Sequence, residues 1–346
     1  MKTAPPPRTS GRPLLLGLPL ALLAGLAVPA QARANGALGA VMEDSLAAAL
    51  ASMSVGLVII AVVSVMLPSG RAGARQFLPA LRERRFPRWY VLAGTVGGYL
   101  VLTQSLIVGL LGVAVFTVAA VAGQTLTGLL VDRMGMGPAG RKPVTLMRAV
   151  GAVLTIVAVA WALSPKLDGG DLTDLLLPVL LPLTAGMLIS FQQAMNGTTT
   201  VHYGTPVTAT LVNLVTGTAL LFVVWLARLA IVGPGGQLPG EWYYYLGGPL
   251  GVFYVGLAAL LVRRLGVLLT GLGMIGGQLI GSLLLDVFLP APGSHVAAAT
   301  IAGTLLTLAA MVLATLPWNT PGGIRRRRAA AGTGAEQPAG VATERR

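Results

Sequence analysis

Cysteine is absent from the chain, which excludes a disulfide scaffold, thiolate metal sites and cysteine catalysis. Histidine is nearly absent: His202 and His295 are the two, too few for a histidine-built metal centre. Charge is scarce as well. Only 10% of the 346 residues are Asp, Glu, Lys or Arg, against roughly 25% in soluble domains. That supply cannot solvate a globular surface of this size. What is there instead is apolar: 55% of residues are hydrophobic and the mean hydropathy is +0.79. The 46 Gly and 23 Pro are dispersed through the apolar runs, as in membrane helices. The chain reads as an all-α, polytopic membrane protein.

A spanning helix needs about 20 mostly apolar residues, and ten segments are candidates, the fifth of them short. The first five are residues 14–32, 46–67, 89–110, 112–131 and 149–163; the second five are 175–194, 207–226, 242–262, 266–289 and 296–316. Strand-period alternation is missing, which argues against a membrane β-barrel. The net charge of +13 is read as loop charge facing anionic headgroups rather than as nucleic-acid binding, because apolar segments separate the basic runs. With both termini cytoplasmic, 21 of the 24 Lys and Arg fall inside and only Arg33, Lys166 and Arg228 outside. That asymmetry sets the expected orientation. The organisation expected is a cytoplasmic N-terminus (1–13), a five-span unit (14–165), an outer linker (166–174), a second five-span unit (175–318) and a disordered basic cytoplasmic tail (319–346). Lys2, Arg8 and Arg12 before an apolar run that ends Ala30-Gln31-Ala32 also have the layout of a cleavable signal peptide.

The chain repeats itself. Gln31-x-x-x-Asn35-Gly36 recurs as Gln192-x-x-x-Asn196-Gly197, at an offset of 161 residues. Leu111-Gly112-Val113, Gly123-Gln124 and Asp132 recur as Leu265-Gly266-Val267, Gly277-Gln278 and Asp286, at an offset of 154. The difference is a longer Arg-rich loop in the first copy. Five is odd, so the second copy enters the membrane from the opposite side. Such inverted repeats build alternating-access transporters, with the site where the halves meet. The repeat also argues for keeping the first span, since its counterpart lies mid-chain.

These residues carry a resemblance. In the second copy they are Gly186, Gln192, Asn196, Gly217-Thr218, Trp242, Leu246-Gly247-Gly248, Phe253-Tyr254, Gly266, Gln278 and Asp286; in the first, Gln31, Asn35, Gly97-Gly98-Tyr99, Gly112, Gly123-Gln124 and Asp132. The chain resembles the drug/metabolite transporter superfamily and, within it, the YdcZ-like inner-membrane exporters, whose unit is a five-span domain. The resemblance covers nearly everything except the tail. It implies ten helices, export of a small solute and no cofactor.

Candidate solute contacts are amides, because a buried amide must find partners. Gln124 and Gln278 are placed on a cavity wall: each follows Gly, and the repeat sets them symmetrically about the midplane. Gln192, Asn196, Gln31, Asn35 and Tyr254 complete the cavity candidates, although interhelical bonding is the plainer expectation for Gln31, Gln104, Gln193 and Asn213. Phe253 is another wall residue to test. Asp132 and Asp286 are the nearest carboxylates for ion coupling, with the plainer role of interfacial charges ending helices. Trp89, Tyr90 and Trp242 to Tyr245 read as interfacial anchors, and His202 and His295 as solvated. No Ser/His pair, intramembrane carboxylate pair or metal cluster offers itself, so an enzyme is not expected. The expectation is an alternating-access exporter of a small metabolite or drug-like solute that needs no oligomer. The alternatives are a non-transporting receptor or assembly protein, and a lipid-headgroup flippase.

Overall fold

A computed structural model describes residues 12–138, 140–141, 143–167, 172–233, 235–290 and 297–315. The extreme N-terminus, the tail, His295 and residues 168–171 of the expected outer linker lie outside the described residues. Among those described there are helices and no strand. They are α1 (Arg12–Met42), α2 (Ser45–Met66), α3 (Pro68–Arg82), α4 (Gly94–Leu111), α5 (Val113–Met134), α6 (Leu146–Leu167), α7 (Leu172–Tyr203), α8 (Pro206–Val232), α9 (Gly247–Phe288) and α10 (Ala298–Thr315). Eight described helices are long and apolar enough to cross a membrane. This is fewer than the ten expected, for two reasons. The expected eighth and ninth spans share the single element α9, and α10 provides only the shorter apolar stretch Ala298–Ala314.

Other boundaries also move. α1 does not stop at Ala32 but continues to Met42, because nothing breaks it before Glu43 (φ +49°) and Asp44, whose carboxylate caps α2 at the Leu46 and Ala47 N–H. The Arg-rich loop is in part the helix α3, which carries a narrow apolar stripe beneath its arginines. Its Phe77 ring lies 5.8 Å from that of Tyr203, and Arg71 donates to the Val65 and Met66 carbonyls that end α2. His202 belongs to the last turn of α7, half-buried against Phe86. Tyr90 is buried in that same cluster rather than anchoring at an interface.

α9 is 42 residues long, which at 1.5 Å per residue is about 63 Å, twice a hydrocarbon core. It is not a straight rod. Gln278 Nε2 donates to the Tyr254 hydroxyl at 3.3 Å across 24 positions, a span of roughly 36 Å in a straight helix. The contacts with α1 agree. Gly247 and Gly251 lie against Asn35 and Gln31, whereas Gly273, Gly277 and Gly281 lie against Ala21, Gly25 and Pro29. The first stretch therefore runs antiparallel to α1 and the second parallel, so the backbone turns back between Ala258 and Thr270. In the first copy the matching reversal falls at Gly112, where φ is +83°, a value that favours glycine.

The repeat governs the packing. A Cβ on Gly25 would collide with the Met274 carbonyl, and one on Gly277 with the Leu22 carbonyl. The counterparts at the same offsets behave alike: Gly186 abuts the Ala120 carbonyl and Gly123 the Leu183 carbonyl. α1 thus crosses the second stretch of α9, and α7 crosses α5, each at a glycine pair where bare backbones can approach closely. α6 and α10 meet by the same rule, Gly151 on Ala310 and Ala314, Gly303 on Ala158 and Ala162.

The two ends of the bundle differ. One, the basic face, carries Arg71, Arg75, Arg82, Arg84, Arg85 and Arg88, together with the α5–α6 and α7–α8 connections. The opposite face is tied by Arg228 to Asp44 at 2.9 Å and by Arg33 to the Pro290 carbonyl at 3.0 Å.

Candidate functional site

Between α1, α2, α4, α5, α7, α8 and α9 lies a cavity of about 560 Å³, within the roughly 300–1,000 Å³ of small-ligand sites. The packing just described creates it. Glycines at the crossings draw helix backbones together at some levels, and at others a glycine opposite an amide leaves room. Gln192 stands over Gly97, and Gln31 stands over Gly251. These two pairs are again related by the offsets 161 and 154.

Six of the expected residues line this space: Gln31, Gln124, Gln192, Asn196, Tyr254 and Gln278. Gln278 is held by Tyr254. Gln124 is fixed through its backbone, whose carbonyl accepts from the Ser190 hydroxyl at 2.7 Å. Gln104, Gln193 and Asn213 also reach the wall, and Gln104 in addition makes an interhelical bond. Every described lining residue is uncharged at neutral pH, Tyr254 being the only ionisable one among them.

Four expected residues lie elsewhere. Asn35 is 0% exposed and sits off the wall, its Nδ2 donating to Gln104 Oε1 at 2.7 Å and its Oδ1 accepting from the Ser52 hydroxyl at 2.7 Å. Asp132 pairs with Arg148 at the basic face, both about one-third exposed. Asp286 is buried at the opposite face and caps α5, accepting from the Val113 and Ala114 N–H. Phe253 points away from the site and is 54% exposed, as adjacent helical positions 100° apart dictate.

Sequence reasoning missed Ser52 and Thr210, both on the wall. Ser52 stands at the 161-residue offset from Asn213, so the repeat already contained that signal. Thr210 shows none, since its hydroxyl is turned to the Pro206 carbonyl as in any membrane helix.

The cavity is not symmetric about the membrane plane. Towards the basic face its lining extends to Asn196, Gly197, Thr200 and Pro206, at the α7–α8 turn. The equivalents on the other side, Asn35, Gly36, Gly39 and Ser45, do not line it. There α1 closes on α4: a Cβ on Gly36 would lie 2.9 Å from Val108, and one on Gly39 would strike the Ser105 carbonyl.

A family model described as "Putative inner membrane exporter, YdcZ" matches residues 16–161 and, a second time, residues 177–313. No curated protein matches the chain. The first match begins inside α1, so the repeat unit of the family includes that helix.

Proposed function

This chain belongs to the YdcZ family of inner-membrane exporters, and we propose that it exports a small solute of zero net charge by alternating access. An exporter family is not an enzyme class, and the site needs no bond-making group. The proposed frame is ten spans in two inverted five-helix units, with α9 contributing two antiparallel spans. Arg228 with Asp44, Arg33 with Pro290 and Asp286 with Val113 all join groups that this topology puts on one side. The basic face is cytoplasmic in this reading, in line with the distribution of Lys and Arg, and its arginines lie against anionic headgroups. No second subunit is needed, since both half-sites are in one chain.

The observation that carries the proposal is the lining: amides from both repeats around a cavity of about 560 Å³, with no charged side chain among the described residues. An ion entering such a space leaves water without a counter-charge, which is costly. A neutral or zwitterionic molecule with several donors and acceptors exchanges its water hydrogen bonds for Gln, Asn and Tyr groups. Tyr254 and Leu100, on the two faces of the site, offer surface to an apolar portion.

A metabolite-sensitivity screen tests this. Growth of a deletion strain and of an overexpressing strain is compared over neutral, zwitterionic, cationic and anionic compounds. The expected result is a set of uncharged or zwitterionic compounds that the deletion strain tolerates less and the overexpresser more. Protection confined to cations or anions overturns the substrate class, and identical growth of both strains on every compound overturns export.

A further inference from the structure

We infer that Asn35, Gln104 and Ser52 form a latch that shuts the site on the face opposite the arginines, and that the absence of its mirror image makes the open-to-basic-face conformation the resting one. The inference rests on the exporter reading above and adds which residues set its conformational balance.

The latch joins three helices. Asn35 on α1 bonds to Gln104 on α4 and to Ser52 on α2. Beside it the Ser45 hydroxyl donates to the Ser105 carbonyl at 3.3 Å. All of this lies where Gly36 packs on the Val108 side chain and Gly39 on the Ser105 backbone, so that α1 and α4 meet closely. The amide and hydroxyl groups satisfy one another away from water, the arrangement that makes a polar cluster cohesive in an apolar setting.

The repeat offsets say what would close the basic face. Asn35 corresponds to Asn196, Ser52 to Asn213, Ser45 to Pro206, and Gln104 to Ala258. Asn196, Asn213 and Ala258 line the open cavity, and the added Cβ of Gly197 would meet only Pro138 among the described residues. When α7 closes on the first stretch of α9, as α1 now closes on α4, Asn196 meets Asn213 where Asn35 meets Ser52, but an alanine where Asn35 meets a glutamine. Pro206 has no hydroxyl to give. The two closures are therefore unequal in hydrogen bonding although alike in backbone, and the molecule rests with its site open to the face from which an exporter loads.

The test uses single cysteines in a chain that has none. Ala49 is 0% exposed behind the latch, and its equivalent Thr210 lines the cavity. Reaction rates of Ala49→Cys and Thr210→Cys with a small methanethiosulfonate are measured on purified protein in liposomes. Three backgrounds are compared: unaltered, Gln104→Ala, and Ala258→Gln. Cutting the latch should speed Ala49→Cys and slow Thr210→Cys, moving the ratio of rates roughly three- to twentyfold, the range expected for membrane hydrogen bonds. Ala258 lines the cavity at the edge of the cluster of Ala21, Ala24, Leu261 and Met274; Ala258→Gln, checked for an unaltered melting temperature, should move the ratio the same way by giving Asn196 the glutamine partner it lacks. Faster reaction at Ala49→Cys without slowing at Thr210→Cys would mean loosened packing and would overturn the latch, as would an unmoved ratio in Ala258→Gln. Labelling reads conformation and not export. A moved ratio in a protein that exports nothing leaves the latch standing and removes the exporter reading.

Discussion

Asp286 accepts the Ala114 N–H at 2.7 Å across 172 positions of sequence, and the Val113 N–H at 3.0 Å. A carboxylate from the second repeat thus caps a helix of the first. The first turn of a helix presents unpaired N–H groups, and Gly112, at the reversal, has no side chain to cover them. Asp286 is occupied by that role. We expect Asp286→Asn, which keeps one carbonyl oxygen, to retain export while melting at a lower temperature. Asp286→Ala should cost about 0.5–2 kcal/mol, the range for lost caps. Loss of export in Asp286→Asn at normal protein level would assign the carboxylate to ion coupling instead. Asp132→Asn, at a partly exposed ion pair with Arg148, should change stability by no more than about 1 kcal/mol.

Gln124→Leu and Gln278→Leu should each abolish export with protein level near normal. Leu roughly keeps the volume but removes the hydrogen bonds that the solute exchanges for water, and a site built on such bonds discriminates by orders of magnitude. Tyr99→Phe is the control. Its hydroxyl pairs with Thr184 at 2.9 Å away from the cavity, and removal should cost about 0.6 kcal/mol with export intact. Export normalised to membrane protein separates the outcomes, and unaltered export by both leucine variants would leave the amides as helix fasteners.

Alanine should be poorly tolerated at Gly25, Gly123, Gly186 and Gly277, where the new methyl meets a backbone carbonyl. Overpacking of that kind costs about 1–3 kcal/mol, and the yield of monodisperse protein in detergent should fall. At Gly256 and Gly271 the methyl meets none of the described residues within 4 Å, so the same substitution should hold or raise stability, by up to about 1 kcal/mol from helix propensity. Equal loss at all six sites would contradict the crossing geometry.

The proposed orientation predicts that a cysteine at Ser69, in α3, resists an impermeant thiol reagent in intact cells. One at Gly240, on the opposite face with none of the described residues within 4 Å of an added Cβ, should react. Labelling at Ser69 from outside would reverse the topology.

Much of the site was legible because duplication writes it twice. Gly-Gln at 123–124 and 277–278 marked two wall residues, and Gln31 and Gln192 marked two more. Asn35 was misplaced for the same reason. It matches Asn196 in sequence, but in a single conformation one member of the pair closes while the other stays open. The helix α3 was hidden because its apolar stripe of Phe77, Leu78 and Leu81 is too sparse to register as a span. The reversal inside α9 was anticipated by Leu265-Gly266-Val267, the counterpart of the Gly112 turn. What no sequence pattern carried was which face the cavity opens to, since that depends on bonds such as Gln104 to Asn35 that only packing brings together.

The crossing of Gly25 with Gly277 has a consequence for biosynthesis. α1 leaves the ribosome about 250 residues ahead of this partner, which at roughly 5–20 residues per second is about 13–50 seconds of translation. Throughout that interval the small-residue groove of α1 faces lipid or the insertion machinery, with no native surface to receive it. Synonymous changes or pauses between the codons of α1 and those of α9 would lengthen the wait, so the yield of correctly assembled protein should fall as that interval grows.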